Sequence, residues 1–198
     1  MRWILVRHGQ SQFNAGNTDD FDSDITERGT YQILDAAFAV KELLESWGLD
    51  EDEIPTAYTL FVSPLQRALK TALPAHSRLG LKPIVDHRIA ESADDLRSQK
   101  VNILPNRSIP FPTFDWSRYP AEGMDIGAIT NEAYLEGLKA FSEEVKGSGI
   151  TGTIVVSHMG TIKNLASILT GTDLMKIQVP NCSCTLIEND KLIFMGQR

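Results

Sequence analysis

The sequence predicts an α/β fold, a three-layer α/β/α sandwich on a mostly parallel central sheet. Three short apolar runs, Trp3 to Val6, Tyr58 to Val62 and Thr153 to Val156, read as strands buried on both faces. Segments with apolar residues at helical spacing separate them. Strands alternating with helices imply parallel pairing, with helices covering both faces of the sheet.

Each element has its own signal. Thr26 is an N-cap for a helix carrying Ala37, Val40, Leu44 and Trp47 at helical spacing, and Gly48 ends it. Ser63-Pro64 reads as a cap followed by proline at the first helical position, opening a helix that runs to about Leu79, with Pro74 as a candidate kink. Ile84-Val85 is a short third strand. Residues 94–129, with Pro105, Pro110, Pro112 and Pro120, read as an irregular insertion of the kind that forms a lid or substrate wall. A helix from Thr130 to Val145 follows the insertion, and another runs from Gly160 to Leu169. Two last strands, Ser183 to Glu188 and Lys191 to Met195, flank the hairpin signal Asn189-Asp190.

The 198 residues suit a single domain with a sizeable core, and 42% hydrophobic with 23% charged residues is an ordinary globular balance. A net charge of −7 argues against a nucleic-acid or anionic-membrane surface. It leaves room for an anionic small substrate held by a few local arginines. The acidic stretches Asp19 to Asp24 and Asp50 to Glu53 read as solvated loops. Cys182 and Cys184, one residue apart on one strand face, are poorly placed for a disulfide, and no neighbouring His suggests zinc. Apolar runs are too short for a signal peptide or a membrane span, which makes a cytoplasmic location the default expectation. The sequence leaves the oligomeric state open.

In open parallel sheets, ligands sit beyond the carboxyl ends of the strands. Arg7-His8-Gly9, Ser63-Pro64 and Ser157-His158 each follow a strand, so three polar loops converge on one crevice. A lone histidine at a strand end is ordinarily a hydrogen-bonded loop residue. Here an arginine precedes His8, and its planar fork suits paired anionic oxygens. A glycine follows, which permits close approach of backbone to a ligand, and Ser11 and Asn14 can donate to phosphate oxygens. His158 opens a helix whose first amides favour an anion. Arg67, in the first turn of its helix, opposes the dipole, which is easier to understand if an anion is bound there. Together these groups suit phosphoryl transfer, which needs positioning and charge stabilisation. A neutral imidazole can attack phosphorus, and a carboxylic acid must protonate the leaving oxygen.

With these residues assembled, the chain resembles the histidine phosphatase superfamily, the phosphoglycerate mutase-like group, branch 1. The matching segments are Arg7-His8-Gly9-Gln10-Ser11 with Asn14, Ile25-Thr26-Glu27-Arg28-Gly29, Ser63-Pro64-Leu65-Gln66-Arg67-Ala68 with Thr71-Ala72, Asp86-His87-Arg88-Ile89-Ala90-Glu91, and Val156-Ser157-His158-Met159-Gly160. They fall in the family's order and span nearly the whole chain. The resemblance implies His8 as the phosphorylated nucleophile and Arg7, Arg67 and His158 as holders of the phosphoryl oxygens. It implies Glu91 as proton donor and base, Gln10, Ser11, Asn14 and Met159 on the substrate side, and no metal or other cofactor.

Ser92-Ala93-Asp94-Asp95 departs from the aromatic and glycine-rich stretch of many relatives. Ala121-Glu122-Gly123-Met124 matches a Gly-Glu-Ser-like turn only in part, and Met159 replaces a smaller residue. His76 and His87 have no motif role, and Trp116, Arg118 and Tyr119 read as packing residues in preference to substrate contacts. The leading expectation is a metal-independent phosphatase for a small phosphorylated metabolite. The alternatives are a phosphoglycerate mutase-type transfer, disfavoured by the few basic residues of the insertion (Arg97, Lys100, Arg107 and Arg118), and a phosphate-binding module without turnover.

Overall fold

A computed structural model describes residues 1–91, 102–103, 111–120 and 123–197. In chain order it contains β1 (Arg2–Arg7), α1 (Glu27–Ser46), α2 (Ile54–Ala57), β2 (Tyr58–Val62), α3 (Gln66–Leu79), β3 (Pro83–Asp86), β4 (Asn102–Ile103), β5 (Asp115–Arg118), β6 (Met124–Asp125), α4 (Asn131–Gly147), β7 (Gly152–Ser157), α5 (Met159–Thr170), β8 (Cys184–Glu188) and β9 (Lys191–Gln197). Seven strands form the main sheet in the order β5-β3-β2-β7-β1-β8-β9, and β4 pairs with β6 separately. From β5 to β1 every neighbour is parallel, whereas β8 runs antiparallel to β1 and to β9. The mostly parallel sheet is the one the apolar runs predict.

Side chains alternate across β1 and seed two cores. Ile4 and Val6 pack on one face with Ile33, Val40 and Leu44 of α1 and Leu69 and Ala72 of α3. Trp3 and Leu5 pack on the other with Leu138 and Phe141 of α4 and Ile162 and Leu165 of α5. Every strand of the central trio needs apolar residues at consecutive positions because helices cover both faces. Thr26 caps α1 as expected, its Oγ1 accepting the Gly29 amide at 3.0 Å. Pro74 lies inside α3 without ending it, and the left-handed Gly80 closes that helix. Asn189 and Asp190, at φ 50° and 63°, make the two-residue turn between β8 and β9.

Four expectations need correction. The insertion is not irregular throughout: Asp115–Arg118 adds a parallel strand beside β3. Its backbone pairs with β3, and three of its four residues are polar, so no apolar run announces it. Arg118 bonds to Asp86 at 3.4 Å and Glu144 at 2.6 Å, and Tyr119 is buried. Residues 92–101, 104–110 and 121–122 lie outside the described residues, and with them Ser92 to Asp95, Arg97, Lys100, Arg107, Ala121 and Glu122. Secondly, Ser63 does not cap α3; the helix begins at Gln66 with Leu65 as its cap residue and no side-chain cap bond. Thirdly, the Asp19–Asp24 stretch is not wholly solvated. Asp22 is buried and accepts the Gln66 amide at 2.7 Å, supplying the acceptor that Ser63 does not. Fourthly, Gly9 is small for its own fold: a Cβ there would meet Ile33 Cγ2 at 2.7 Å. One at Gly29 would meet the Gln10 carbonyl at 2.3 Å. The two glycines let α1 seat on the first loop. No helix among the described residues is long and apolar enough to cross a membrane.

Candidate active site

The parallel register aligns the carboxyl ends of β1 and β7, with β2 ending one residue earlier. Arg7 faces Ser157, so His8 and His158 emerge side by side, and Val62 faces Val156, so Ser63 follows one residue behind them. Backbone bonds continue past the strand ends: the His8 amide donates to Ser157 O at 2.9 Å and the Ser63 amide to Val156 O at 3.0 Å.

His8 is 1% exposed and its Nδ1 lies 2.7 Å from Gly9 O. A carbonyl only accepts, which assigns the ring proton to Nδ1 and leaves the Nε2 lone pair. Arg67 Nε donates to that lone pair at 3.2 Å. Arg67 is itself held by its Nη1 on Phe21 O at 2.5 Å and by the Phe21 ring 4.5 Å beneath the guanidinium. The loop that holds Phe21 thus aims the arginine. Thr71, one turn along α3, accepts the Gly9 amide at 3.0 Å and donates to Arg67 O at 2.7 Å, joining the helix to the His8 loop.

The His158 ring lies 5.0 Å from that of His8, centre to centre, and is fully buried. Its Nε2 is 2.7 Å from Ser63 Oγ, and its Nδ1 is 3.7 Å from Glu91 Oε2. Burial holds both imidazoles well below the usual 6.5. The Arg67 and Arg7 charges push His8 further down, and Arg67, His8 and Arg7 do the same for His158. Both rings are therefore neutral near pH 7. Arg7 donates from Nη1 to Val179 O at 2.7 Å.

Glu91 is 7% exposed and is placed by the three residues before it. Asp86, fully buried, accepts Arg88 N at 3.0 Å, Arg88 Nε at 2.9 Å and Arg88 Nη2 at 2.6 Å, which folds residues 87–89 into a single 3-10 turn. Ser157 Oγ donates to Ile89 O at 2.7 Å, and Thr161 donates to Ala90 O. A cavity of about 250 Å³ opens beside the carboxyl, with Ile126, Ile129 and Tyr134 in its wall.

Of the residues expected on the substrate side, Ser11 is buried and accepts the Asn14 amide at 3.1 Å. Gln10 turns its carboxamide to Thr26 Oγ1 at 3.0 Å, tying the loop to α1. Asn14 is exposed, and Met159 is the first residue of α5. His76 and His87 each bond a backbone carbonyl, Leu81 O at 2.6 Å and Arg118 O at 2.9 Å, in keeping with structural roles. No group of three or more His, Cys, Asp or Glu among the described residues is arranged to hold a metal ion.

The family model for the histidine phosphatase superfamily (branch 1) matches residues 3–192. The chain belongs to that superfamily. The histidine phosphatases it resembles include a provisionally named phosphoserine phosphatase 2 of Hydrogenobacter thermophilus, 28% identical over 99% of this chain and 95% of the other. A 2,3-bisphosphoglycerate-dependent phosphoglycerate mutase of Sphingopyxis alaskensis is 41% identical over 44% of this chain and 36% of its own. Among solved structures, a mycobacterial glucosyl-3-phosphoglycerate phosphatase superposes with a TM-score of 0.64 at 19% identity, covering 100% of this chain and 99% of its own. At that identity the likeness speaks for the fold.

Two residues of this histidine phosphatase site escape a sequence reading. Asn181 donates from Nδ2 to His8 O at 3.0 Å and to Asn14 Oδ1 at 3.3 Å. It stands 173 residues from His8, and no local signal marks it. Ser63 carries a strong local signal, the Ser-Pro pair, which points to a helix cap and away from His158.

Proposed function

We propose that the protein is a phosphatase for a small phosphorylated metabolite and that it works through a phosphohistidine at His8. The observation that carries this reading is the buried, neutral His8 Nε2, 3.2 Å from Arg67 Nε and beside His158, whose Nδ1 lies 3.7 Å from Glu91 Oε2. Names among the relatives support the phosphatase class. The Nε2 lone pair bonds to phosphorus as the ester P–O bond breaks, and the Glu91 carboxyl gives its proton to the departing oxygen. Arg7, Arg67 and His158 hold the equatorial oxygens, where charge accumulates. The Glu91 carboxylate then takes a proton from water, whose oxygen attacks phosphorus as the N–P bond breaks. The products are the alcohol, inorganic phosphate and neutral His8. The apolar wall of the cavity beside Glu91 suits the carbon skeleton of the leaving group.

Hydrolysis of p-nitrophenyl phosphate in excess EDTA tests the reading, with turnover expected and its absence pointing to a silent phosphate-binding module. The match to phosphoglycerate mutases favours a second reading, transfer from a bisphosphate primer. Conversion of 3- to 2-phosphoglycerate at a rate above phosphate release would select it.

A further inference from the structure

We propose that Ser63 is a positioning residue: by donating its hydroxyl proton to Nε2 of His158, it fixes that ring's own proton on Nδ1, aimed at the reaction site. The purpose assigned to this arrangement rests on the phosphoryl-transfer reading; the arrangement itself does not.

Ser63 Oγ is fully buried and has two neighbours among the described residues, the Leu65 amide at 3.4 Å and His158 Nε2 at 2.7 Å. The amide can only donate, so Oγ already serves as its acceptor. The hydroxyl proton then has one place to go, the Nε2 lone pair. Were Nε2 protonated instead, Oγ would receive two donors while its own proton lacked an acceptor, at a site where an unmade bond is costly. The neutral ring, kept so by burial and by the Arg67 charge, carries one proton, and it falls on Nδ1.

That nitrogen has no hydrogen-bond partner among the described residues. It lies 3.7 Å from Glu91 Oε2, too far for a bond and on the side of the groups that meet the substrate. A buried N–H held without a partner is rare and calls for an explanation. A phosphoryl oxygen between His8 and Glu91 supplies one. The chain from Leu65 N–H through Ser63 O–H to His158 therefore gives a neutral imidazole a fixed donor direction. It also accounts for the failure of Ser63 to cap α3.

The 15N shifts of the His158 ring in the ligand-free protein near pH 7 read the tautomer directly. We expect the proton on Nδ1 in the wild type and in Ser63→Thr, which keeps the hydroxyl, and a mixed or reversed tautomer in Ser63→Ala. Phosphorylation of His8 should slow at least about tenfold in Ser63→Ala, with recovery in Ser63→Thr. A wild-type ring protonated at Nε2 overturns the assignment, whether or not Ser63→Ala folds. An altered tautomer with unchanged phosphorylation overturns the role in turnover. Because the tautomer is read without substrate, an inactive protein that still carries the proton on Nδ1 would count against the phosphatase reading alone.

Discussion

Arg67 Nε sits 3.2 Å from His8 Nε2 and donates to the lone pair that the proposed attack requires. In the absence of substrate this bond orients the imidazole. In the proposed reaction the guanidinium passes to a phosphoryl oxygen, so one arginine would both hold His8 ready and stabilise the charge its attack creates. Arg67→Lys keeps the charge but loses the planar fork and its anchor on Phe21 O. We predict a fall in kcat/KM of about 10²- to 10³-fold, the range for loss of one preorganised donor to developing charge. Steady-state kinetics on an aryl phosphate measure it, and a loss below about threefold would show that charge alone suffices.

Glu91→Gln keeps the size and burial of the side chain while removing its proton chemistry. The loss should be about 10²- to 10⁴-fold for alkyl phosphates, whose leaving oxygens need a proton, and much smaller for p-nitrophenyl phosphate. A plot of log kcat/KM against leaving-group pKa checks this: the slope steepens in the variant. Parallel lines for wild type and variant would remove Glu91 as the acid.

The two buried imidazoles predict how stability follows pH. Above pH 6.5 both are neutral in the folded and unfolded chains and contribute no proton difference. Below it the unfolded chain takes up protons that the folded chain refuses, because both folded values lie lower. Stability therefore drops as pH falls, by up to roughly 1.4 kcal/mol per pH unit for each ring, until the folded values are reached. Denaturant titrations between pH 7.5 and 5 should show a flatter dependence in His8→Asn and His158→Asn than in the wild type; equal slopes would contradict the burial argument. By the same logic, the acid limb of kcat/KM that belongs to His8 should lie below the ordinary imidazole range.

Glycine-to-alanine substitutions in two helices should differ in sign. At Gly29 a Cβ would meet the Gln10 carbonyl at 2.3 Å, forcing α1 off the His8 loop. We expect a loss of about 1–3 kcal/mol, or about 2–4 °C in Tm for each kcal/mol in a chain of this size. At Gly147, the last residue of α4, a Cβ would meet nothing within 4 Å. Alanine there should leave Tm unchanged or raise it through the lower entropy of the unfolded chain. Thermal melts of both variants decide the matter.

The central strands are legible because a strand covered by helices on both faces is apolar at consecutive positions, as Trp3 to Val6 and Ile154 to Val156 are. From strand alternation follows the crevice at the carboxyl ends, which is why the sequence alone places His8, Arg67 and His158 together. What the sequence hides are features set by partners distant along the chain. Asp115-Trp116-Ser117-Arg118 is a strand by its pairing with β3, and Arg118 meets Asp86 and Glu144, contacts that no local pattern encodes. Ser63 reads as a cap until a histidine 95 residues away competes for its hydroxyl. Gly9 suggests room for a ligand, while its neighbour is Ile33 of α1. In each case the residue type carries the expected local preference, and the group that overrides it lies far along the chain.

Brief exposure of the protein to a phosphoryl donor, followed by an acid quench and a parallel alkaline quench, tests the phosphohistidine itself. Mass spectrometry of the peptides then locates any phosphate. We predict one phosphoryl group on His8, lost in acid, kept in alkali and absent from His8→Ala. Steady turnover with no phosphate on His8 at any time, or phosphate found on another residue, would contradict it.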